Sequence, residues 1–170
     1  MPIGVTGIAT QIKNLISSVT GVGKIHTFKR WGATDKDFET FAATGGKINA
    51  WFITRVSTAE RWLTTGEFNR AHLFHISGAY GMKDADATEE TFQVLVDRIC
   101  GRFRSDSGRT LNDTVESVAP SFGEISAQSE SGGAEGGLQV TSVGHADFHG
   151  ILVHFAELHL GVQEYPQLFP

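Results

Sequence analysis

Apolar residues in the first twenty positions recur at three- and four-residue steps: Val5, Ile8, Ile12, Leu15, Ile16 and Val19. That spacing lines one face of a helix, and Gly21 stands where a helix-ending residue is expected. Lys24–Trp31 then reads as a strand. Thr34 is placed to cap a short helix over Asp35–Ala43, with Asp35 and Asp37 suited to its dipole and Phe38, Phe41 and Ala42 on its core side. Gly45-Gly46 ends it. Lys47–Val56 follows as a strand apolar on both parities, the pattern of a strand covered on both faces. Ser57–Asn69 reads as a polar connection with one helical turn around Trp62-Leu63, and Arg70–Tyr80 returns as a strand.

The strongest helix signal covers Asp86–Arg104. Phe92, Leu95, Val96, Ile99 and Phe103 form its stripe, Asp86 and Glu89 a start resembling a capping box, and Arg98, Arg102 and Arg104 a cationic C-terminal end. Ser105–Asn112 reads as a loop. Val115–Gln128, Leu138–Val143 and Gly150–Glu164 are strand candidates, and the tract Ser129–Gly137 is expected to be a mobile hairpin tip. Residues 166–170 form a short C-terminal tail. Neighbouring strands with interspersed helices predict an α+β fold: one mainly antiparallel mixed sheet, with helices packed on one face.

At 170 residues the chain fits a single domain over 1–170, long enough to bury one real core. Twelve Phe and three Trp argue for a folded chain. A net charge of −5 disfavours sequence-independent nucleic-acid binding, which needs clustered cations, although Lys29, Arg30, Arg102 and Arg104 are candidates for a local basic patch. The lone Cys100 falls in the helix stripe and reads as a small buried hydrophobe. The start lacks the basic region and long apolar core of a secretory signal, and no apolar run nears the ~20 residues of a membrane helix. The expectation is a soluble chain made in the cytoplasm, with no membrane partner.

No catalytic motif is legible. Gly21-Val22-Gly23-Lys24 resembles a phosphate loop only superficially: Ser18 replaces the required Gly, Ile25 replaces Ser/Thr, and the order is helix into strand. Histidine is the one enriched chemical type, with His145, His149, His154 and His159 close in sequence and Asp147 among them. Residues five apart on a strand point to opposite faces, which separates His154 from His159. His154 shares parity with Leu152, Ala156, Leu158 and Leu160 and reads as a core histidine. The expectation is no catalytic residue, no metal and no cofactor. A small metal-dependent enzyme using the His145–His159 cluster is the competing chemical reading.

Taken together, KRWGATDKDFETFAATGGKINAWFITR, NRAHLFHISGAYG, ATEETFQVLVDRICGRFR and VHFAELHLGVQEY resemble the tail terminator (tail-completion) proteins of long-tailed bacteriophages. The likeness spans roughly Ile3–Tyr165 and rests on overall pattern and element order. It implies an α+β structural virion protein, not an enzyme, that forms a homo-hexameric ring at the head-proximal end of the tail. Such a ring caps the tail tube, ends its polymerisation and offers a docking surface to the head–tail connector, with DNA only as passing cargo. The implied localisation is the virion, after assembly in the host cytoplasm; a head–tail connector or neck protein is the alternative virion role. Subunit and tube contacts are expected from the Ser57–Asn69 connection, the Ser129–Gly137 tip and the ends of the last strands. Trp62, Glu67, Phe68, Glu130, Glu135 and His159 are the candidate interface residues.

Overall fold

The computed structural model describes residues 4–30, 34–64, 67–83, 86–111, 117–119, 138–148 and 150–164. Helix α1 (Gly4–Ser17) buries Ile8, Ala9, Ile12, Leu15 and Ile16, the stripe that the periodicity predicts. Strand β1 (Lys24–His26) is much shorter than Lys24–Trp31 because it pairs, in parallel, only with Ala50–Phe52. Helix α2 (Asp35–Ala42) is capped as expected: the Thr34 hydroxyl accepts the Asp37 N–H at 3.2 Å. The two-residue strand β2 (Ala43–Thr44) turns through Gly45 and Gly46, both at positive φ, into β3 (Lys47–Thr64).

Strand β3 runs antiparallel to β4 (Glu67–Gly81) along its whole length, so the Ser57–Asn69 connection is overturned: it forms a two-stranded ribbon. Polar cross-strand pairs sustain it where apolar ones are missing. Thr58 Oγ1 meets His72 Nδ1 at 2.8 Å, and Arg70 holds Glu60 at 2.7 Å. An irregularity between Arg55 and Ser57 re-phases the strand at Val56, so Thr58, Glu60 and Trp62 take the face of Trp51 and Ile53 rather than that of Phe52 and Thr54.

Helix α3 (Thr88–Arg104) buries Phe92, Leu95, Val96, Ile99, Cys100 and Phe103. Its start is not the expected capping box: Ala87 holds the cap in a left-handed conformation without a side-chain bond. Asp86 pairs instead with Lys83 at 2.7 Å, and the Thr88 hydroxyl accepts the Lys83 N–H at 2.9 Å. The expected Ser105–Asn112 loop contains a short turn of helix, α4 (Asp106–Arg109), because the Ser105 hydroxyl accepts the Gly108 N–H. Strands β5 (Ser117–Ala119) and β6 (Gln139–Phe148) both pair with β7 (Ile151–Glu164), β6 along its first part and β5 near its end. Most of the expected Val115–Gln128 strand lies outside the described residues, and β6 runs five residues past the expected end at Val143.

The sheet order is β1-β3-β4-β7-β5, with β2 on β3 and β6 on β7, and every pairing except β1–β3 is antiparallel. The α+β class follows the sequence reading. Helices α1 and α3 cover one face, over Trp51, Ile53, Phe74, Ile76, Ala156, Leu158 and Leu160. Helix α2 departs from the one-face expectation. Its Phe38, Phe41 and Ala42 pack on Ile48, Ala50, Ala79 and Val153, which belong to the opposite parity. The reason is that β3 is apolar on both parities, and α2 is too short to cover more than one end of the second face.

Trp51 is fully buried and crosses β4 at Gly78, its register partner. A Cβ on Gly78 would lie 2.5 Å from the indole, whereas one on Gly81 would meet nothing nearer than 3.4 Å. Gly78→Ala is therefore expected to destabilise the fold by about 1–3 kcal/mol through overpacking, and Gly81→Ala by clearly less. Urea unfolding of the two variants checks this; equal losses would show that the indole moves aside freely.

Candidate functional site

The second face of the sheet is covered by α2 at one end only, and beside the helix it opens into a cavity of about 300 Å³. Its floor is Phe52 and Thr54 from β3, His75 and Ser77 from β4, and Phe155 and Glu157 from β7. These residues share one face because their registers match across all three strands: Phe52 lies opposite Ser77, Thr54 opposite His75 and Ser77 opposite Glu157. Phe38 and Phe41 of α2 form one wall. Phe148, at the end of β6, stacks on Phe38 at 4.7 Å with nearly parallel rings and closes a side.

Strand β1 bolts α2 in place. Lys24 Nζ donates to the Thr40 carbonyl at 3.1 Å and His26 Nε2 lies 3.0 Å from the Phe41 carbonyl, so two C-terminal carbonyls of the helix gain partners. The His26 ring also stacks on Phe52 at 5.3 Å. Past β1 the chain carries Lys29 and Arg30 to the cavity rim, where the Arg30 guanidinium lies 5.4 Å from the Phe41 ring and 5.8 Å from that of Phe28. Across the floor, His75 Nε2 sits 3.5 Å from Glu157 Oε1, and its ring meets His159 edge-on at 5.4 Å. The cavity thus offers aromatic surface, two cations at the rim, and one carboxylate able to accept a hydrogen bond. That is a recognition chemistry.

The second feature is the ribbon tip. Trp62 is 65% exposed, the most exposed large hydrophobic side chain among the described residues, and lies opposite Phe68 in register. The side chains of Glu67 and Phe68 lie outside the described residues, as do Glu130 and Glu135 altogether. His159 is not at an outer rim: it is half-buried beside His75, on the cavity's face. The candidate basic residues divide as well. Lys29 and Arg30 border the cavity, whereas Arg102 donates to Ser18 Oγ at 3.0 Å between α3 and the end of α1, on the other side of the sheet.

The histidine cluster is split by strand alternation. His154 is buried, stacks on Phe92 at 6.0 Å, and its Nε2 lies 2.9 Å from Thr88 Oγ1. His145 faces it across the β6–β7 pair at 5.2 Å, while His159 lies on the opposite face. His149 is outside the described residues. Among the described residues no group of three or more His, Cys, Asp or Glu is arranged to hold a metal ion. Cys100 is buried, and that burial pushes its thiol up. No described helix is long and apolar enough to cross a membrane.

Beyond Val56 the first face carries a buried polar chain that the sequence reading missed. His72 and Glu164 are both nearly inaccessible, and His72 Nε2 approaches Glu164 Oε1 at 3.2 Å. Arg70 reaches the same carboxylate oxygen at 3.4 Å. A neutral imidazole fits this geometry: Nε2–H donates to Glu164 while Nδ1 accepts from the Thr58 hydroxyl. The signal was present in the alternation of β4, where His72 shares parity with Phe74 and Ile76.

His72, His154, His75 and His26 all have a pKa lowered below 6.5, burial being the largest cause in each. At His72 and His75 the carboxylates of Glu164 and Glu157 oppose that shift without cancelling it. Unfolding frees these imidazoles to take up protons near pH 6.5, so between the folded and unfolded values the unfolded chain binds more protons and stability rises with pH. Stability is expected to be complete above about pH 6.5 and to fall as the pH drops below it. Urea midpoints at pH 7.5, 6.5 and 5.5 measure this, and His72→Gln should make the dependence shallower. A midpoint that rises on acidification would mean that the His72–Glu164 ion pair outweighs burial. Compared with protein-family models and with curated proteins, the chain finds no match.

Proposed function

We propose that this protein is a structural ring subunit of the tail-terminator type, closing the head-proximal end of a phage tail tube and presenting a docking surface to the head connector. One observation carries the reading: an open strand edge running into a projecting ribbon. Strand β1 pairs only with Ala50–Phe52, so from Ile53 to Thr64 the outer edge of β3 has no strand beside it among the described residues. Residues 55–60 are all exposed along that edge, and Val56 and Trp62 add apolar surface to it. A long exposed edge is a template for pairing with another chain unless it is covered. An edge and a tip that differ from whatever they meet make a heterologous contact, the kind that closes rings.

The net charge of −5 supports the same reading, because like charge lets DNA pass along a channel without sticking. The element order and the resemblance of the four segments point the same way. In this role the chain needs no cofactor; its partners are further copies of itself, the tube and the connector.

Native mass spectrometry over a concentration series is expected to show a closed ring, with six subunits the expected number, unchanged by chelator. Val56→Lys places a charge on the open edge and is expected to weaken association about tenfold per junction, or ~1.4 kcal/mol, with the urea midpoint unchanged. Added to assembling tail tubes, the wild-type chain should cap them and stop growth. Capture on a portal ring with no affinity for tubes would move the protein to the neck. A chelator-sensitive, metal-bound monomer would end the structural reading.

A further inference from the structure

We propose that the cavity on the second sheet face is the socket for Trp62 of a neighbouring copy of this chain. This deepens the ring reading and rests on it for the identity of the partner. The socket and the plug are both on one chain but cannot meet within it. Trp62 stands eight residues beyond Thr54 of the cavity floor, roughly 26 Å along the strand at 3.3 Å per residue. The irregularity at Val56 also turns Trp62 to the face opposite the cavity. Without that extra residue the tip would present its indole on the cavity's own side.

The chemistry of the socket selects this occupant. Phe38, Phe41, Phe52, Phe148 and Phe155 give an aromatic box of about 300 Å³, a fit for one large flat side chain. Lys29 and Arg30 at the rim favour a ring with an electron-rich face, and indole is the strongest such partner for a cation. The Arg30 guanidinium is already poised over aromatic rings at the rim. The indole carries a single N–H donor, and Glu157 supplies a carboxylate acceptor on the floor. An aliphatic plug would use neither the cations nor the carboxylate.

Insertion of one copy's tip into the next copy's cavity is head-to-tail, since plug and socket occupy different faces and different ends of the subunit. Each subunit then offers one of each, and the series closes into a ring when the rotation per step allows it. The open β3 edge and the Trp62 socket belong to the same junction, because the edge leads directly into the tip.

A covalent trap tests the proposal even where association is weak. Full-length Glu60→Cys, exposed two residues before a retained Trp62, is mixed one-to-one with full-length Ser77→Cys and a short flexible bis-maleimide, and the intermolecular cross-links are mapped by mass spectrometry. Ser77 lines the cavity floor, and Cys100 is buried and contributes little background. A heterologous plug and socket raise the effective concentration of the two thiols, so the cross-link is expected to exceed that between Glu60→Cys and Val94→Cys by about tenfold or more. Val94 is an exposed site on α3 and serves as the reference. A yield equal to the reference overturns the socket, and so does a Trp62→Ser chain that still forms rings at wild-type concentration. The ring reading survives either of those results if wild-type rings form. A wild-type chain that forms no ring and caps no tube, yet traps at Ser77, would keep the socket and remove the ring.

Discussion

The fit of Trp51 over Gly78 is the constraint on which the rest of the molecule depends. The indole is fully buried, lies against β4 where the chain has no side chain, and stacks on Phe92 of α3 at 6.1 Å. Phe92 in turn stacks on Tyr80 at 5.9 Å and on His154 at 6.0 Å. One aromatic cluster therefore ties β3, β4, β7 and the main helix together. A slip of β3 by one residue would set the indole against a residue with a Cβ and turn every side chain of the strand to the wrong face. Register, once pinned here, is inherited along β3 as far as Arg55, where the irregularity at Val56 re-phases the ribbon.

What is inherited differs between the two faces. On the first, α1 and α3 complete a continuous apolar core that ends in polar company, at His72, Arg70 and Glu164. These groups join β4 and β7 at the end of that core, where His72 and Glu164 are nearly inaccessible. Glu164 Oε2 and Asn69 Oδ1 of β4 are both buried without a hydrogen-bond partner among the described residues, which carries a desolvation cost. On the second face, α2 covers only one end. The half-buried Phe52, Phe148 and Phe155 pack beside it and line a cavity.

Functionally, the two exposed features arise from one architectural choice. A sheet whose edge strand runs far past its neighbour leaves an open edge and a projecting tip, and a short helix on the second face leaves an aromatic hollow. The walls of the hollow belong to the α2 core cluster, whereas the exposed Val56 and Trp62 belong to neither core cluster. In the assembly proposed above, one chain would supply both the projection and its receptor.

Periodicity alone determined α1, α2, most of α3, the core of β3 and β4, β7, and with them the α+β class. These elements are set by local spacing of apolar residues and by caps such as Thr34, which act within a few residues of themselves. The buried state of Cys100 and His154 was legible for the same reason. The Ser57–Asn69 segment was not, because its strand character comes from partners across the ribbon: Thr58 with His72, and Glu60 with Arg70. Phe52, Phe148 and Phe155 each looked like ordinary strand residues; only the matched registers of β3, β4, β6 and β7 bring them to one cavity with Lys29 and Arg30. The face of Trp62 depends on a single extra residue at Val56, which no alternation pattern reveals. Local spacing of apolar residues tells which segments are regular. Tertiary pairing decided which of their faces meet, because a strand's neighbours lie far away in the chain and a shift of one residue reverses its sides.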